Sequence, residues 1–472
     1  MKRLFLFVLL VAAGSAGARP LFVDGFDPPH IDPLFPQSAG LYQLPPGPTT
    51  NRLQWLLTKL VPGAPITDQE ITENFDASWL ASNNIAQTRA FIESVRTSYP
   101  NAIVTDVITV TPVRVTVLID SPGSPPPSGF LQFGARYSGT QRIVQFGVSG
   151  FGGSVMYPVD QTLSLAEAAD KFATLSSAPS LLVGRIGANG QCSTIVERNG
   201  STPRATASIF KSWVVAGLGR AIADGGVASA DSLPLVASEL APGGVINSEP
   251  LGTPFSVRDL AILMLGISDN TATDLLHQLL GREMLAPIVQ ATVANPDLLL
   301  PFLGISEQFH VFRSFPLVEA LSYVNGDQAF KNQFLQERIV PLGPNNGGAY
   351  FHADLLTSGT WRASPADICR MFASLRRLPQ GSEAIRTVDA AFGASAAQPN
   401  VRSRWDRVWY KGGSLSSGAS GFHVLTHAWM LENAGEDAYV VIAMSNSSAG
   451  GIDQFFVQSV TGRLLELVSQ MP

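Results

Sequence analysis

The sequence predicts an α+β protein with a smaller N-terminal domain and a larger C-terminal one. Its 472 residues are enough for about two or three domains, and its 45% hydrophobic and 14% charged residues are typical of a globular chain. Strand-like segments occur near both ends of the region after residue 160, and apolar helical segments fill the middle. We therefore expect an antiparallel sheet flanked by helices plus an all-helical subdomain, preceded by a small α+β domain.

The first 50 residues predict export followed by a linker. A charged start, Met1–Arg3, precedes an apolar run over Leu4–Ala13 and small residues at Ala16–Ala18. This pattern is typical of a signal peptide, which we expect to cover residues 1–18 and to direct the protein to the periplasm or the extracellular space. Proline and glycine are frequent in residues 19–50, which predicts an extended linker. The apolar run is shorter than the ~18 residues of a membrane helix, so no membrane span is expected.

A small α+β domain is expected over residues 51–153. The periodicity of apolar residues predicts one helix over Arg52–Leu60 and two further helices over Ile66–Ser98. It also predicts a strand over Ile103–Ile119 and a hairpin over Phe130–Phe146. Pro112 falls inside the predicted strand and indicates a sheet edge or a bulge, because proline cannot donate a hydrogen bond to a neighbouring strand. No residue pattern in this domain marks a catalytic site.

The C-terminal domain, over residues 160–472, is expected to contain a sheet that both of its ends help to build. Helical periodicity predicts a first helix over Leu163–Leu175 and a last one over Ile452–Val468. Alternating apolar residues predict five strands, over Leu181–Ile186, Ser193–Glu197, Val408–Gly412, Phe422–Leu431 and Ala438–Met444. The chain between the second and third strands is mostly helical and forms the predicted all-helical subdomain.

Charge and residue counts narrow the classes of partner. The net charge is −6 and the pI about 5.6, with no basic patch, so no nucleic acid is expected to bind. The six histidines form no ligand-like pair beyond His423 and His427, which are predicted on a strand, so no metal or other cofactor is expected. The cysteines Cys192 and Cys369 are equally compatible with one bridge and with two buried thiols. The oligomeric state is left open.

Three short strings in the C-terminal domain carry the candidate chemistry, and the first runs from Ser208 to Lys211. Ser208 opens an apolar helix, where a hydroxyl lies beside unsatisfied backbone N–H groups. Lys211 follows at a spacing that puts it on the same helix face. Burial among apolar residues should lower the pKa of Lys211 and make it a usable base. Taken alone, an N-capping serine and a lysine that reaches solvent explain this string better.

The second string is Ser268-Asp269-Asn270, which is expected on a tight turn between two helices. Polar side chains on such a turn can point into a cleft. An ordinary Asp/Asn turn that caps the next helix explains the string better when it is considered alone.

The third string, Lys411-Gly412-Gly413-Ser414, ends a predicted strand. Two glycines let a ligand approach the strand closely, and the lysine supplies a fixed positive charge for a carboxylate. A strand that ends in a glycine-rich turn is the simpler explanation of this string alone. The fixed order of all three strings favours a functional site instead, with a small molecule or a peptide that carries a carboxylate as substrate.

The three strings match S-x-x-K, S-D-N and a K-T-G-like triplet, and residues from about 160 to 472 resemble the class A β-lactamase and penicillin-binding-protein superfamily of serine hydrolases. The whole chain is similar to a two-domain subgroup of that superfamily. This resemblance implies a steroid-isomerase/cystatin-like fold for residues 51–153. It also implies a part in β-lactam catabolism or antibiotic resistance.

The resemblance implies an acyl-transfer mechanism. Ser208 would be the nucleophile, Lys211 would take its proton, and Ser268 would relay a proton to the leaving group. Backbone N–H groups of Ser208 and Ser414 would form the oxyanion hole. The substrate-binding residues would be Asn270, Lys411, Gly413 and Ser414.

Two departures from the family pattern bear on turnover. Efficient β-lactamases use a glutamate of the omega loop to activate the water that clears the acyl-enzyme. The corresponding stretch here, Asn345–Ser364, has no glutamate, and His352 and Asp354 are the candidate bases. Gly412 stands where the family has threonine, so a substrate-facing hydroxyl is missing, and Ser414 offers a replacement. We expect acylation of the serine but slow deacylation.

Three functions remain open from the sequence. The first is an exported serine hydrolase that acts on β-lactams or related amides and esters. The second is a D-alanyl peptidase-like or esterase-like enzyme, and the third is a penicillin-binding sensor without turnover. A generic α/β-hydrolase is disfavoured, because the sequence contains no G-x-S-x-G elbow.

Overall fold

A computed structural model gives the fold of this chain. It describes residues 31, 33–38, 41–123, 128–149 and 156–471. These residues form helices and antiparallel sheets, which confirms the predicted α+β class. The predicted signal peptide and part of the predicted linker lie outside the described residues. None of the helices within those ranges is long and apolar enough to cross a membrane.

The N-terminal part packs helices against a four-stranded antiparallel sheet. Its elements are β1 (Gln37–Ser38), β2 (Leu41–Tyr42), α1 (Pro48–Lys59), α2 (Asp68–Asn74), α3 (Ala77–Ser82), α4 (Ile85–Ser98), β3 (Ile103–Val110), β4 (Arg114–Asp120), β5 (Gly129–Ala135) and β6 (Ile143–Ser149). The strand order in the sheet is β3-β4-β5-β6. Buried residues such as Leu53, Ile92 and Phe133 fill the space between helices and sheet.

Two predicted elements of this part differ from the structure. The stretch predicted to hold two helices, Ile66–Ser98, holds three, because Asp76 caps the separate short helix α3 with its side chain. The single strand predicted over Ile103–Ile119 is a pair of strands, β3 and β4. Pro112 lies in the turn between them, where its missing N–H costs no ladder hydrogen bond.

The C-terminal part has a five-stranded antiparallel sheet, completed by strands from both ends of the domain as the sequence predicts. Its first elements are α5 (Leu165–Phe172), β7 (Ala178–Ile186), β8 (Cys192–Arg198) and β9 (Arg204–Ala205), and its last are β13 (Arg407–Ser417), β14 (Gly421–Glu432), β15 (Ala438–Asn446) and α15 (Gln454–Val468). The strand order is β13-β14-β15-β7-β8, so β13 is an edge strand. Helices α5 and α15 pack on one face of the sheet.

The chain between β9 and β13 is mainly helical and covers the other face of the sheet. Its elements are α6 (Lys211–Ala223), β10 (Ser232–Pro234), β11 (Pro254–Ser256), α7 (Val257–Gly266), α8 (Asn270–Thr292), α9 (Ile305–Arg313), α10 (Leu317–Asn325), α11 (Gln328–Phe334), α12 (Leu355–Ser358), β12 (Arg362–Ala363), α13 (Pro365–Arg376) and α14 (Glu383–Gly393). Helix α6 is buried over most of its length, so it forms the centre of this layer. Helix α8 is kinked at Gly281, which has a φ of 72°.

A disulfide joins the sheet to the helical layer. Cys192 at the start of β8 is bonded to Cys369 in α13. The sequence left one bridge and two free thiols equally open, and the structure contains the bridge.

The N-terminal part contacts the C-terminal part around helix α7. The Glu249 carboxylate accepts hydrogen bonds from the backbone N–H groups of Tyr137 and Ser138, at 2.9 and 3.2 Å. The Tyr137 hydroxyl donates to the Asp259 carboxylate at 2.8 Å, near the start of α7. At the other end of α7, a Cβ on Gly266 would lie 2.7 Å from Thr111 Cγ2, so glycine permits the close contact with the β3–β4 turn.

Candidate active site

The three strings meet at one pocket between the helical layer and the edge strand β13. The pocket has a volume of about 300 Å³. Five of the predicted site residues line it: Ser208, Ser268, Lys411, Gly413 and Ser414. The other two, Lys211 and Asn270, lie behind them and are joined to each other by a hydrogen bond. The structure therefore brings all seven predicted residues into one region.

Ser208 lies in a single 3₁₀ turn, Ala207–Phe210, directly before helix α6. Ala207 has a φ of 44°, an uncommon backbone conformation for a residue with a side chain. The aromatic ring of Phe210 stacks on Trp361 at a centroid distance of 3.7 Å, which anchors the turn from behind. The Thr426 hydroxyl of β14 donates to the Thr206 carbonyl at 2.9 Å and anchors it from the sheet. The serine is thus held on a short, fixed turn.

Lys211 is fully buried at the start of α6 and contacts the second string. Its Nζ donates hydrogen bonds to the Ser268 carbonyl oxygen at 2.7 Å and to Asn270 Oδ1 at 2.6 Å. It also lies 3.2 Å from Ser268 Oγ. Burial lowers the pKa of Lys211 to about 7, although the carboxylates of Asp269 and Asp274 favour its charged form. A large fraction of Lys211 is therefore neutral near pH 7 and able to accept a proton.

The second string forms the turn between α7 and α8, as the sequence predicts. Ser268 has a φ of 59°, in the left-handed region that residues with a side chain rarely adopt. Asp269 holds this turn, since its carboxylate accepts from Ala272 N of α8 and from the backbone N–H groups of Val245 and Ile246. The Asp269 side chain is thus used for structure, and the turn presents Ser268 to the pocket.

The third string lies within β13 rather than at its end, because β13 continues to Ser417. Lys411 is buried, and its Nζ donates to the Gly412 carbonyl oxygen at 2.8 Å. Burial, and secondarily the charge of Lys211, lower the pKa of Lys411. A Cβ on Gly413 would lie 2.5 Å from the Thr206 carbonyl oxygen and 2.8 Å from Ser208 N. Only glycine at this position lets β13 approach the turn that carries Ser208.

Two further residues with polar side chains line the pocket, Tyr410 and His427, and the sequence did not assign either of them to this site. Tyr410 Oη lies 2.8 Å from His427 Nδ1. The signal for Tyr410 was its place two residues before Gly412, on the same face of a strand. The sequence offers His427 only as a possible metal ligand, because its place beside the pocket depends on how β13 pairs with β14.

The two candidate bases from the predicted omega-loop stretch lie elsewhere. His352 Nε2 is 2.8 Å from the Phe315 carbonyl oxygen. Asp354 precedes α12 without a side-chain hydrogen bond that caps the helix. Neither residue lines the pocket of Ser208, and the described residues that line it include no carboxylate.

The histidines considered as metal ligands have other partners. His423 Nε2 lies 3.0 Å from Ser417 Oγ, and His427 contacts Tyr410. The described part of the chain contains no group of three or more His, Cys, Asp or Glu side chains positioned to hold a metal ion.

A family model described as "Beta-lactamase enzyme family" matches residues 178–299. This segment includes Ser208, Lys211, Ser268 and Asn270, and it ends before Lys411. The match supports a relation to the serine hydrolases of the β-lactamase and penicillin-binding-protein superfamily. No match was found among curated proteins.

Solved structures similar to this chain include several β-lactamases. A β-lactamase from Sphaerobacter thermophilus is 20% identical, with a TM-score of 0.42, and the match covers 64% of this chain and 94% of that one. A β-lactamase from Chitinophaga pinensis is 12% identical, with a TM-score of 0.43 and coverage of 64% and 96%. A mutant of PBP-A, in an acyl-enzyme complex with penicillin G, is 14% identical, with a TM-score of 0.41 and coverage of 64% and 97%.

Proposed function

We propose that this chain, whose residues 178–299 match the β-lactamase enzyme family, is an exported serine hydrolase that works through an acyl-enzyme on Ser208. Its substrates are β-lactams or related amides and esters that carry a carboxylate. Deacylation is slow. The N-terminal domain is steroid-isomerase-like under this proposal, and the charged and apolar start of the sequence supports export.

The observation that carries the proposal is the hydrogen-bonded cluster around Lys211. A fully buried lysine with a pKa near 7 lies one helical turn after Ser208, and its Nζ contacts the hydroxyl and carbonyl oxygens of Ser268. Burying a lysine costs free energy, and buried groups with strongly shifted pKa values are concentrated at functional sites. A buried, partly neutral lysine that contacts Ser268 and follows Ser208 by one helical turn is an arrangement suited to proton transfer.

Acylation follows from this arrangement in one round of proton transfers. The Ser208 hydroxyl oxygen attacks the substrate carbonyl carbon, and neutral Lys211 accepts the hydroxyl proton. Lys211 passes a proton through the Ser268 hydroxyl to the leaving nitrogen or oxygen, and the carbonyl–leaving-group bond breaks. The Ser208 ester that remains is the acyl-enzyme. Backbone N–H groups beside the pocket, from Ser208 and Ser414, stabilise the oxyanion of the intermediate.

The composition of the pocket supports slow deacylation. Water must attack the Ser208 ester, and a carboxylate base accelerates that attack in efficient β-lactamases. The described residues that line the pocket include no carboxylate, and both His352 and Asp354 lie outside it. The acyl-enzyme therefore accumulates after a fast first step.

Intact-protein mass spectrometry tests the proposal. Incubation with benzylpenicillin, and separately with an activated ester, should add the mass of the acyl group to the full chain. The matched control is Ser208→Ala, which should show no adduct. A long-lived adduct agrees with the proposal. If the adduct lasts and the protein hydrolyses only cell-wall-like peptides or esters, the result would favour the peptidase or esterase alternative. The absence of an adduct from both reagents would refute the proposed function.

A further inference from the structure

The pocket contains a tyrosine–histidine pair that the acyl-transfer steps do not use. Tyr410 lies two residues before Gly412 on β13, and His427 lies directly opposite Gly412 on β14. Both side chains therefore leave the sheet on the same face as position 412. Tyr410 Oη and His427 Nδ1 are 2.8 Å apart. Both rings pack against Trp429, which fixes the position of the hydroxyl.

The Tyr410 hydroxyl occupies the space that a side chain at position 412 would need. A Cβ on Gly412 would overlap Tyr410 Oη and would lie 3.0 Å from Tyr410 Cζ. Gly412 is in a regular strand and not in the left-handed region, so its backbone conformation does not require glycine. Position 412 therefore has no room for a side chain, because the Tyr410 hydroxyl already occupies that space.

The protonation states of the pair exclude a role as a base. Burial, and secondarily the charge of Lys411, lower the pKa of His427 to about 4. Burial also raises the pKa of Tyr410, which keeps its proton at neutral pH. A histidine with so low a pKa is too weak a base to activate water efficiently at neutral pH. The pair therefore offers a neutral hydroxyl donor rather than a proton acceptor.

We propose that the Tyr410 hydroxyl, held by His427, donates a hydrogen bond to the substrate carboxylate in place of the hydroxyl that Gly412 lacks. This inference rests on the proposed function, because it concerns the same substrate in the same pocket. When the carboxylate is bound, His427 carries its proton on Nδ1 and donates it to the Tyr410 oxygen. The Tyr410 proton is then free for the carboxylate. The bound carboxylate, as an opposite charge, favours the protonated form of Lys411, so that Lys411 contributes charge and Tyr410 contributes a directed bond.

The test measures carboxylate recognition without turnover. Ser208→Ala is used as the background in the full-length chain, and titration calorimetry gives the Kd of benzylpenicillin and of its methyl ester. The background should bind the acid more tightly than the ester. Adding Tyr410→Phe should weaken acid binding by about 10- to 100-fold, the range for a lost hydrogen bond to a charged group, and leave ester binding unchanged. Tyr439→Phe is the matched control, since its hydroxyl contacts Arg185 on β7.

A second variant keeps the test decisive if Tyr410→Phe does not fold. Tyr410→Ala with Gly412→Thr clears the space and places a hydroxyl at position 412, so it should restore most of the preference for the acid. The proposal is overturned if Tyr410→Phe weakens acid and ester equally or changes neither. It is also overturned if the background binds neither ligand, or if the preference disappears in Ser414→Ala but persists in Tyr410→Phe.

The wild-type acyl adduct, measured in parallel, separates this inference from the proposed function. If the wild type forms no adduct but the preference for the acid over the ester still depends on Tyr410, the proposed function fails and the carboxylate site stands. If the adduct forms normally but Tyr410→Phe does not change the preference for the acid, the proposed function stands and the role of Tyr410 fails.

Discussion

The buried Lys211 should make the stability of the protein depend on pH in a way that Lys211→Met removes. The folded protein lowers the pKa of Lys211 to about 7, whereas the unfolded chain keeps the ordinary value of 10.5. Between these values the unfolded state binds more protons than the folded state. Stability therefore rises as the pH rises through this window, and below pH 7 the full cost of burying the lysine is present.

The pKa difference sets the size of the effect. Each pKa unit corresponds to about 1.4 kcal/mol, so the Lys211 side chain lowers the free energy of unfolding by about 4 kcal/mol at pH 7 and by about 2 kcal/mol at pH 9. The wild type should accordingly gain about 2 kcal/mol over Lys211→Met when the pH is raised from 7 to 9. The change in stability with pH is compared, rather than the stability at one pH, because the variant also loses the hydrogen bonds of Lys211 at every pH.

Urea unfolding at a series of pH values measures this difference. Ser208→Ala is the control, since it removes the nucleophile and keeps Lys211, and it should follow the wild type across the series. Parallel stability curves for the wild type and Lys211→Met between pH 7 and pH 9 would show that Lys211 is not held near neutrality. They would refute the reasoning that makes it a base.

Three further outcomes are expected. The rate of acylation, measured by stopped flow with a chromogenic cephalosporin, should rise with pH and level off above about pH 7, as neutral Lys211 becomes the main form; a flat profile from pH 5 to 9 would contradict this. Gly413→Ala should abolish acylation and cost about 1–3 kcal/mol in urea unfolding, because its methyl group overlaps the turn of Ser208, whereas Gly418→Ala, with open space around it, should do neither. Reduction of the Cys192–Cys369 bridge, which spans a sequence separation of 177, should lower the free energy of unfolding by about 2–5 kcal/mol, and equal unfolding curves with and without reductant would show that the bridge adds nothing.

Patterns local in sequence predicted the sheet and its flanking helices well. Alternation within β14 and β15 and the turn before α8 are properties of neighbouring residues, and they appear where the sequence placed them. Alternation does not show where a strand reverses, so β3 and β4 were predicted as one strand. Only Pro112 hinted at the turn, and it was interpreted as a bulge or an edge.

The parts of the site that depend on pairing between distant segments could not be predicted. Tyr410 and His427 are adjacent because of the register of β13 against β14, which no short motif encodes. The bridge between Cys192 and Cys369 depends on how α13 packs near β8. His352 was predicted as a candidate base from its place in the sequence, but its ring lies against the Phe315 carbonyl oxygen.

The contact between Gly266 and Thr111 has a consequence for how the two halves of the chain can be separated. Gly266 is two residues before Ser268, and it packs against the β3–β4 turn of the N-terminal part. Val113 of the same turn is buried in the main apolar cluster of the C-terminal part. Expression of the C-terminal part by itself would expose that apolar surface and leave the segment before Ser268 without its support. The two halves are therefore best regarded as a single structural unit, in which changes to the first half can alter the chemistry of the second.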